Sequence, residues 1–122
     1  MNVKIDTKEK FHVITIQEPV FSGNMTEEWK QILDKTRENV TGNVIINMSA
    51  VIAMDAPAAE SLAAEQQQSY EKQQSLVLCC LQPSLEEWLD KQEILELLNT
   101  TPTESEAWDI VQMEEIEREL DL

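Results

Sequence analysis

The sequence predicts a single α/β domain built on a mixed, mostly parallel β-sheet. Segments with strand-like apolar patterns alternate along the chain with segments in which apolar residues recur at helical spacing. This alternation is typical of parallel sheets covered by helices. The two opening strands are separated only by a short polar turn, which joins antiparallel neighbours, so the sheet is expected to be mixed. A chain of 122 residues, 42% of them hydrophobic, suffices for one core of ordinary size.

The first half of the chain predicts two strands, a helix and a further strand. Residues 3–5 and 11–16 carry alternating apolar side chains, and a polar turn at residues 6–10 joins them. Helical spacing predicts a helix across residues 25–40. Its inner face is expected to consist of Trp29, Ile32, Leu33, Thr36 and Val40. The β-branched run at residues 44–48 is typical of a strand that is covered on both faces.

The second half predicts further helices and strands in alternation. Pro57 favours the first position of a helix, because its missing N–H costs nothing there. The inner face of this helix is expected to carry Ala59, Leu62, Ala63, Gln66 and Tyr70. A strand is predicted at residues 75–81, a proline-opened helix at residues 83–90, and a last strand, with a weaker pattern, at residues 94–98.

The final helix is predicted from a capping-box pair, Thr103 followed three residues later by Glu106. The helix runs toward the chain end, and residues 113–122 are expected to form an acidic helical tail that projects from the domain. An amphipathic strip on this tail consists of Met113, Ile116 and Leu120. Such a strip suits packing on a second copy, which would make a homo-oligomer, or on another protein; an acidic, frayed end is the alternative.

The charge of the chain restricts its partners. It has 24 acidic and 9 basic residues, a net charge of −15. A field of that sign repels phosphate backbones and anionic lipid headgroups, so we expect neither nucleic acid nor membrane as a direct partner. A basic protein partner is compatible with this charge, and so is a charge that serves solubility alone.

The residue types predict no catalytic residue, metal site or cofactor. His12 is the only histidine, lies in a predicted strand without another ligand at metal-binding spacing, and is expected on an exposed or edge position. The two glycines, Gly23 and Gly42, are too far apart to form a phosphate-binding loop. Adjacent acidic residues are common here and predict solvated helix faces rather than an acid/base pair.

The sequence predicts a cytoplasmic location. The first residues lack the apolar core of an export signal, and no stretch approaches the ~20 apolar residues that span a bilayer. Cys79 and Cys80 are adjacent in an apolar run, where a disulfide between them would be strained. We therefore expect two thiols, both buried in a strand of a reduced protein.

A sequence motif extends from the strand at residues 44–48 to the start of the next helix. The strand and the following residue read VIINMS, and after a short loop the segment at residues 55–59 reads DAPAA. Strand, loop and helix start, with the order of elements over nearly the whole chain, resemble the STAS (anti-sigma factor antagonist) family. The resemblance implies a mixed sheet of four to five strands with helices packed mainly on one face.

The resemblance also implies a role in signalling. Members of the family bind an anti-sigma factor that is also a serine kinase, and phosphorylation of the second serine of an Asp-Ser-Ser-Gly motif ends that binding. Here the motif positions are occupied in order by Asp55, Ala56, Pro57, Ala58 and Ala59. Pro57 stands where the family has its phosphorylated residue and has no hydroxyl. Ser22 stands where the family usually has an aspartate near the end of the second strand.

Three hypotheses about function follow. In the first, the chain is a non-enzymatic binding module whose partner is an anti-sigma factor or serine kinase, with an interface on Asp55 to Ala59 that extends to Glu60 and Ser61. In the second, a phosphorylation switch persists but has moved to Ser49 or Ser61. In the third, the domain senses a small molecule, or is an enzyme, with a pocket at the carboxyl ends of the strands.

Overall fold

The computed structural model describes residues 1–38 and 41–120. Its strands are β1 (Val3–Thr7), β2 (His12–Ile16), β3 (Val20–Phe21), β4 (Val44–Asn47), β5 (Ala53–Met54), β6 (Leu76–Cys79) and β7 (Thr100–Thr101). Its α-helices are α1 (Thr26–Arg37), α2 (Ala56–Glu71), α3 (Pro83–Lys91) and α4 (Glu104–Leu120). The predicted end of the first helix at Val40, and that of the last at Leu122, lie outside the described residues.

Five of the strands form one mixed sheet in the order β1-β2-β4-β6-β7. β1 runs antiparallel to β2, and the other neighbours are parallel. Val13, Ile45 and Val77 lie in one row across the three central strands. β3 and β5 form a separate parallel pair of two-residue strands, in which Val20 aligns with Ala53. The predicted mixed, mostly parallel sheet is confirmed.

Helices cover the two faces of the sheet unequally. α1, α2 and α3 contribute Trp29, Leu62 and Leu85 to the main core on one face. On the other face α4 packs Ala107 and Val111 against a smaller apolar cluster that includes Phe11, Ile45, Val77 and Cys79. The expectation of helices mainly on one face is confirmed. The central strands are buried on both faces, which explains their unbroken apolar runs.

The predicted last strand at residues 94–98 is wrong. A 3-10 helix spans Leu95–Leu97, and the amide of Leu98 donates to the carbonyl of Leu95 at 3.1 Å. Ile94 and Leu98 are both buried at a spacing of four residues, so their burial follows a helical turn. The strand that completes the sheet is β7, two residues long, which is too short to show a periodicity in the sequence.

His12 does not lie on an exposed or edge position, so that prediction is wrong. Its side chain is 1% exposed, because β2 lies between β1 and β4 rather than at the edge of the sheet. The ring Nδ1 lies 3.0 Å from the hydroxyl of Thr7, and Nε2 lies 3.2 Å from the carbonyl of Thr41. The imidazole therefore joins the end of β1 to the segment that precedes β4.

Tyr70 and Cys80 also depart from the sequence predictions. Tyr70 is 79% exposed, and the inward positions of this part of α2 are taken by Glu65 and Ser69. Cys79 is buried in β6, as expected, and burial, followed by the neighbouring Cys80, raises the pKa of its thiol. Cys80 lies beyond the strand, half-buried and with φ of 64°, so only one of the two thiols is buried in the strand.

The start of the last helix agrees with its predicted cap. The amide of Glu106 donates to the hydroxyl of Thr103 at 3.2 Å, and that hydroxyl donates to the Glu106 carboxylate at 3.1 Å. These bonds satisfy an amide of the first turn that has no partner within the helix. Over the described residues, no helix combines the length and the apolar character needed to cross a membrane.

Candidate functional site

The segment that carries the sequence motif leaves the carboxyl end of β4 and enters α2. Asp55 is the N-cap residue of α2, and its Oδ1 accepts a hydrogen bond from the amide of Ala58 at 3.0 Å. Its Oδ2 accepts a second bond from the amide of Gly23, also at 3.0 Å. These bonds, that from Gly23 first, hold the pKa of Asp55 below its ordinary value. The carboxylate is thus engaged in structure.

Pro57 lies at the surface in the first turn of α2. It is the second helical residue, one position later than the sequence predicted, because Ala56 follows the cap directly. The turn after β3 approaches it closely, and a Cβ added to Gly23 would lie 2.9 Å from Cβ of Pro57. A residue larger than glycine at position 23 would therefore push against a rigid ring.

The seven predicted site residues divide by exposure. Asp55, Ala56, Pro57 and Glu60 are exposed, and Ser61 is half-buried. Ala58 and Ala59 are fully buried in the main core, where their small side chains let α2 lie close to the sheet. The part of the motif open to solvent is thus the first turn of α2 and Glu60, one turn further on.

Two exposed apolar residues lie in and next to the β3–β5 pair that precedes this turn, and the sequence did not reveal them. Val20 is 45% exposed in β3, and Ile52 is 54% exposed just before β5. The carbonyl of Pro19 accepts hydrogen bonds from the amides of Ile52 and Ala53, at 2.8 and 3.2 Å, which brings the two segments together. Strands of two residues carry no periodic signal, so this contact could not be read from the sequence.

The loop between β4 and β5 places the hydroxyl of Ser49 in solvent. The amide of Ser49 donates to Oδ1 of Asn47 at 2.9 Å, and its carbonyl accepts a bond from the side chain of Gln82 at 2.9 Å. These contacts fix the backbone of the loop and leave its side chain exposed. Ser22, in the turn after β3, is half-buried.

The side chains of the segment at residues 55–59 are a helix-capping carboxylate, a proline and small apolar residues. In the described parts of the chain, no three histidine, cysteine or acidic side chains come together as metal ligands. A first turn of helix with exposed apolar neighbours can bury surface against another protein, since apolar area removed from water drives association.

Comparison with known families agrees with the fold. The model of the STAS domain family matches residues 2–107. The chain belongs to this family. A search of curated proteins finds no significant match.

Solved structures with the same fold come from different systems. A candidate anti-sigma factor antagonist from Thermotoga maritima has a TM-score of 0.75 and 13% identity, with 90% of this chain and 94% of that chain covered. A structure of the stressosome, a signal integration and transduction hub, has a TM-score of 0.70 and 16% identity, with coverages of 89% and 96%.

A third match is a murine anion transporter, Solute Carrier 26 family member A9. Its TM-score is 0.74 at 16% identity, and it covers 88% of this chain but only 18% of the transporter. At these identities the likeness establishes the fold alone, and the function is argued from the surface of this chain.

Proposed function

We propose that the chain is a non-enzymatic protein-interaction module of bacterial signalling, acting in the cytoplasm, that binds its partner through the first turn of α2. Its partner would be an anti-sigma factor or a serine kinase. Support comes from membership of the STAS domain family and from the structural likeness to a candidate anti-sigma factor antagonist and to the stressosome. The observation that carries the proposal is the exposed turn at Ala56 and Pro57, together with exposed Val20 in β3 and exposed Ile52 just before β5, the strand that precedes α2.

Pro57 gives the module a particular kind of regulation. A phosphate at a helix start adds about two negative charges to a docking surface and can end binding. Proline accepts no phosphate, so binding at this turn would follow the concentrations of the two proteins. The module would be a constitutive binder at this position, controlled through its abundance or that of its partner.

Binding should depend on the exposed residues of this turn and not on the far end of the same helix. The test variant is Ile52→Gln with Glu60→Lys, which leaves the cap residue Asp55 in place. Its matched control is Tyr70→Gln with Glu71→Lys, an exposed apolar and acidic pair at the other end of α2.

Affinity for anti-sigma factors and serine kinases of the source organism, measured by calorimetry, should fall about tenfold or more in the test variant. It should change little in the control. If no such protein binds, or if both variants bind as wild type does, the proposed surface is wrong.

A variant with a hydroxyl at position 57 tests the proposal that binding is not regulated by phosphorylation there. Pro57→Ser places a serine at the family's phosphoacceptor position, on an exposed residue whose replacement does not disturb the core. Incubation with a bound partner kinase and ATP should add one phosphate to this variant and none at position 57 of the wild type, as read by peptide mass spectrometry. A variant that stays unphosphorylated while bound to an active kinase would contradict this assignment.

The same mass spectra test whether a phosphorylation switch has moved to Ser49 or Ser61. Ser49 is exposed in the loop before β5, whereas Ser61 is half-buried, so Ser49 is the better placed of the two hydroxyls for a kinase. Phosphate on Ser49 of the wild type would support a relocated switch in place of constitutive binding.

A small-molecule sensor remains the second class of function. A cavity of about 710 Å³ lies between the end of α2 and α4, lined by Gln66, Gln74, Leu76 and Asn99 among others. It lies at the amino ends of β6 and β7, opposite the carboxyl ends where ligands of α/β sheets usually bind. A thermal-shift screen with metabolites and nucleotides tests this alternative, since a ligand selective for the folded state raises its melting temperature.

A further inference from the structure

The inner side of α4 is fixed to the domain along most of its length. Beyond its apolar contacts with the sheet, the carboxylate of Glu114 accepts a bond from the hydroxyl of Ser75 at 2.6 Å. Glu115 accepts one from the amide side chain of Asn43 at 2.6 Å. The guanidinium of Arg118 donates to Asn43 at 3.2 Å and to Ser75 at 3.1 Å. The helix is therefore held in place as far as Arg118.

The outer side of the same helix carries a strip of apolar side chains that are exposed to solvent. Met113, Ile116 and Leu120 are 56%, 54% and 79% exposed. At about 100° per residue their side chains fall within about 60° of one another, on the side opposite buried Val111. The match to the family model ends at residue 107, so this strip lies beyond the part of the chain that the family accounts for.

The charge of α4 indicates what kind of partner fits the strip. The helix has seven acidic residues, Glu104, Glu106, Asp109, Glu114, Glu115, Glu117 and Glu119, and one basic residue, Arg118. Two copies packed through this strip would bring together two helices of strongly negative charge, in a chain of net charge −15. A basic helix would instead gain from the same charges, because opposite potentials favour association.

The two flanks of the strip differ in charge, and this difference would orient a basic helix bound to the strip. On one flank a cavity of about 390 Å³ is lined by Phe11, Trp108 and Ile116 together with Lys8, Glu9 and Lys10. The cavity suits an apolar side chain, and its two lysines outnumber its one carboxylate, so this flank is less favourable for a basic side chain.

On the other flank lies the cavity of about 710 Å³, whose lining includes Glu71, Glu114 and Glu117. Arg118 also lines it, but its guanidinium is already bonded to Asn43, Ser75 and Glu115. Basic side chains of the partner would thus lie on this flank.

We propose that the outer face of α4 is a docking surface for a basic amphipathic helix of another protein. The apolar face of that helix would lie along Met113, Ile116 and Leu120, and its cations toward Glu71 and Glu117. This surface is separate from the first turn of α2, so the two can hold different partners or two segments of one partner.

The test uses the full-length protein and a synthetic helix-forming peptide of leucine and lysine, about 18 residues long, with its leucines on one helical face. Two further peptides serve as comparisons: one of the same composition with the leucines dispersed around the helix, and one amphipathic peptide with glutamate in place of lysine. Affinities are measured by fluorescence anisotropy for wild type, for Met113→Gln with Ile116→Gln, and for Val20→Gln with Ile52→Gln.

The amphipathic lysine peptide is expected to bind wild type at least about tenfold more tightly than either comparison peptide. Affinity should fall about tenfold in the α4 variant and stay unchanged in the variant at Val20 and Ile52, which removes equally exposed apolar residues near α2. Glu71→Gln with Glu117→Gln should weaken binding and reduce its dependence on salt.

Equal binding of the dispersed peptide would overturn the proposal, because plain charge attraction would then account for binding. Equal loss in both apolar variants would also overturn it, because the strip on α4 would then have no special part in binding. Sedimentation that shows a dimer of wild type, absent in the α4 variant and unaffected by the peptide, would also overturn it and identify a second copy as the occupant. If no anti-sigma factor binds the protein but the amphipathic lysine peptide does, only the proposed function of the surface on α2 is contradicted, and the proposal for α4 stands.

Discussion

Asp55 joins the start of α2 to the turn after β3 through one carboxylate. Each oxygen accepts a backbone amide, from Ala58 and from Gly23, so the two segments of the candidate surface share an anchor. The sequence predicts Pro57 as the first helical residue, which would make Ala56 the cap, so the capping role of Asp55 comes from the structure, although aspartate is a residue type that favours this position. The bond to Gly23 depends on where β3 lies and could not be read from the sequence.

Replacing Asp55 by Asn should lower stability at neutral pH, because the amide side chain offers one acceptor where two amides need one each. The pKa of Asp55 in the folded protein lies below its unfolded value, chiefly because of the bond from Gly23. Its contribution to stability is therefore complete above the unfolded pKa and is lost as pH falls through the folded pKa.

Urea midpoints measured from neutral to acid pH check this prediction. The difference in urea midpoint between wild type and Asp55→Asn should become smaller as pH falls. Glu60→Gln removes an exposed carboxylate one turn further along α2 and should leave the midpoint little changed. A gap that stays constant down to strong acid would mean that the carboxylate charge of Asp55 does not strengthen these bonds.

At the scale of elements, α1 and α2 meet through an ion pair that only the fold reveals. Arg37 ends α1 and Glu65 lies in the middle of α2, with Nη1 and Oε2 3.7 Å apart and side chains 8% and 4% exposed. Arg37 also donates to the hydroxyl of Ser69. Burial raises the pKa of Glu65, opposed by the charge of Arg37, and burial lowers the pKa of Arg37.

Removing one member of this pair should cost more than removing both. Arg37→Met or Glu65→Leu alone leaves an unpaired charge inside the helix interface and should destabilise the domain by about 3 kcal/mol. The double variant, in which both positions are apolar, should recover most of that loss. Urea unfolding of the four proteins measures the coupling, and costs that simply add would show that the two charges do not interact.

The sequence predicts the helices and the longer strands correctly, but it does not predict the strands of two residues. The helices and the central strands follow from spacing in the sequence, since their apolar residues face a core over many residues. The pair β3–β5 and the short β7 hold only two residues each, and their positions depend on partners far along the chain. For this reason the sequence predicts the last strand at residues 94–98, whereas the structure has it at Thr100–Thr101.

At the scale of the whole molecule, the net charge of −15 acts on stability as well as on partners. Acidic side chains repel one another more strongly in the folded state, where they are closer together than in the unfolded chain. Salt screens this repulsion over a length of about 10 Å at 0.1 M.

The melting temperature should therefore rise when sodium chloride is increased from low to moderate concentration at neutral pH. A variant that carries Glu38→Gln, Asp109→Asn and Glu119→Gln, three exposed positions outside the first turns of the helices, should melt higher at low salt and respond less to added salt. Thermal unfolding followed by circular dichroism measures both. A melting temperature that falls with salt in wild type would show that attractive ion pairs outweigh the repulsion.

By itself the sequence determined the fold class, the long elements, the acidic surface and the proline at the motif position. Each of these rests on residue types or on spacing within one segment, which short-range physics sets. The tertiary structure alone decided that His12 is buried, that Tyr70 is exposed and that Val20 lies beside Ala53. Those outcomes depend on which segments pack together, and contacts between residues far apart in the chain are not encoded in any local pattern.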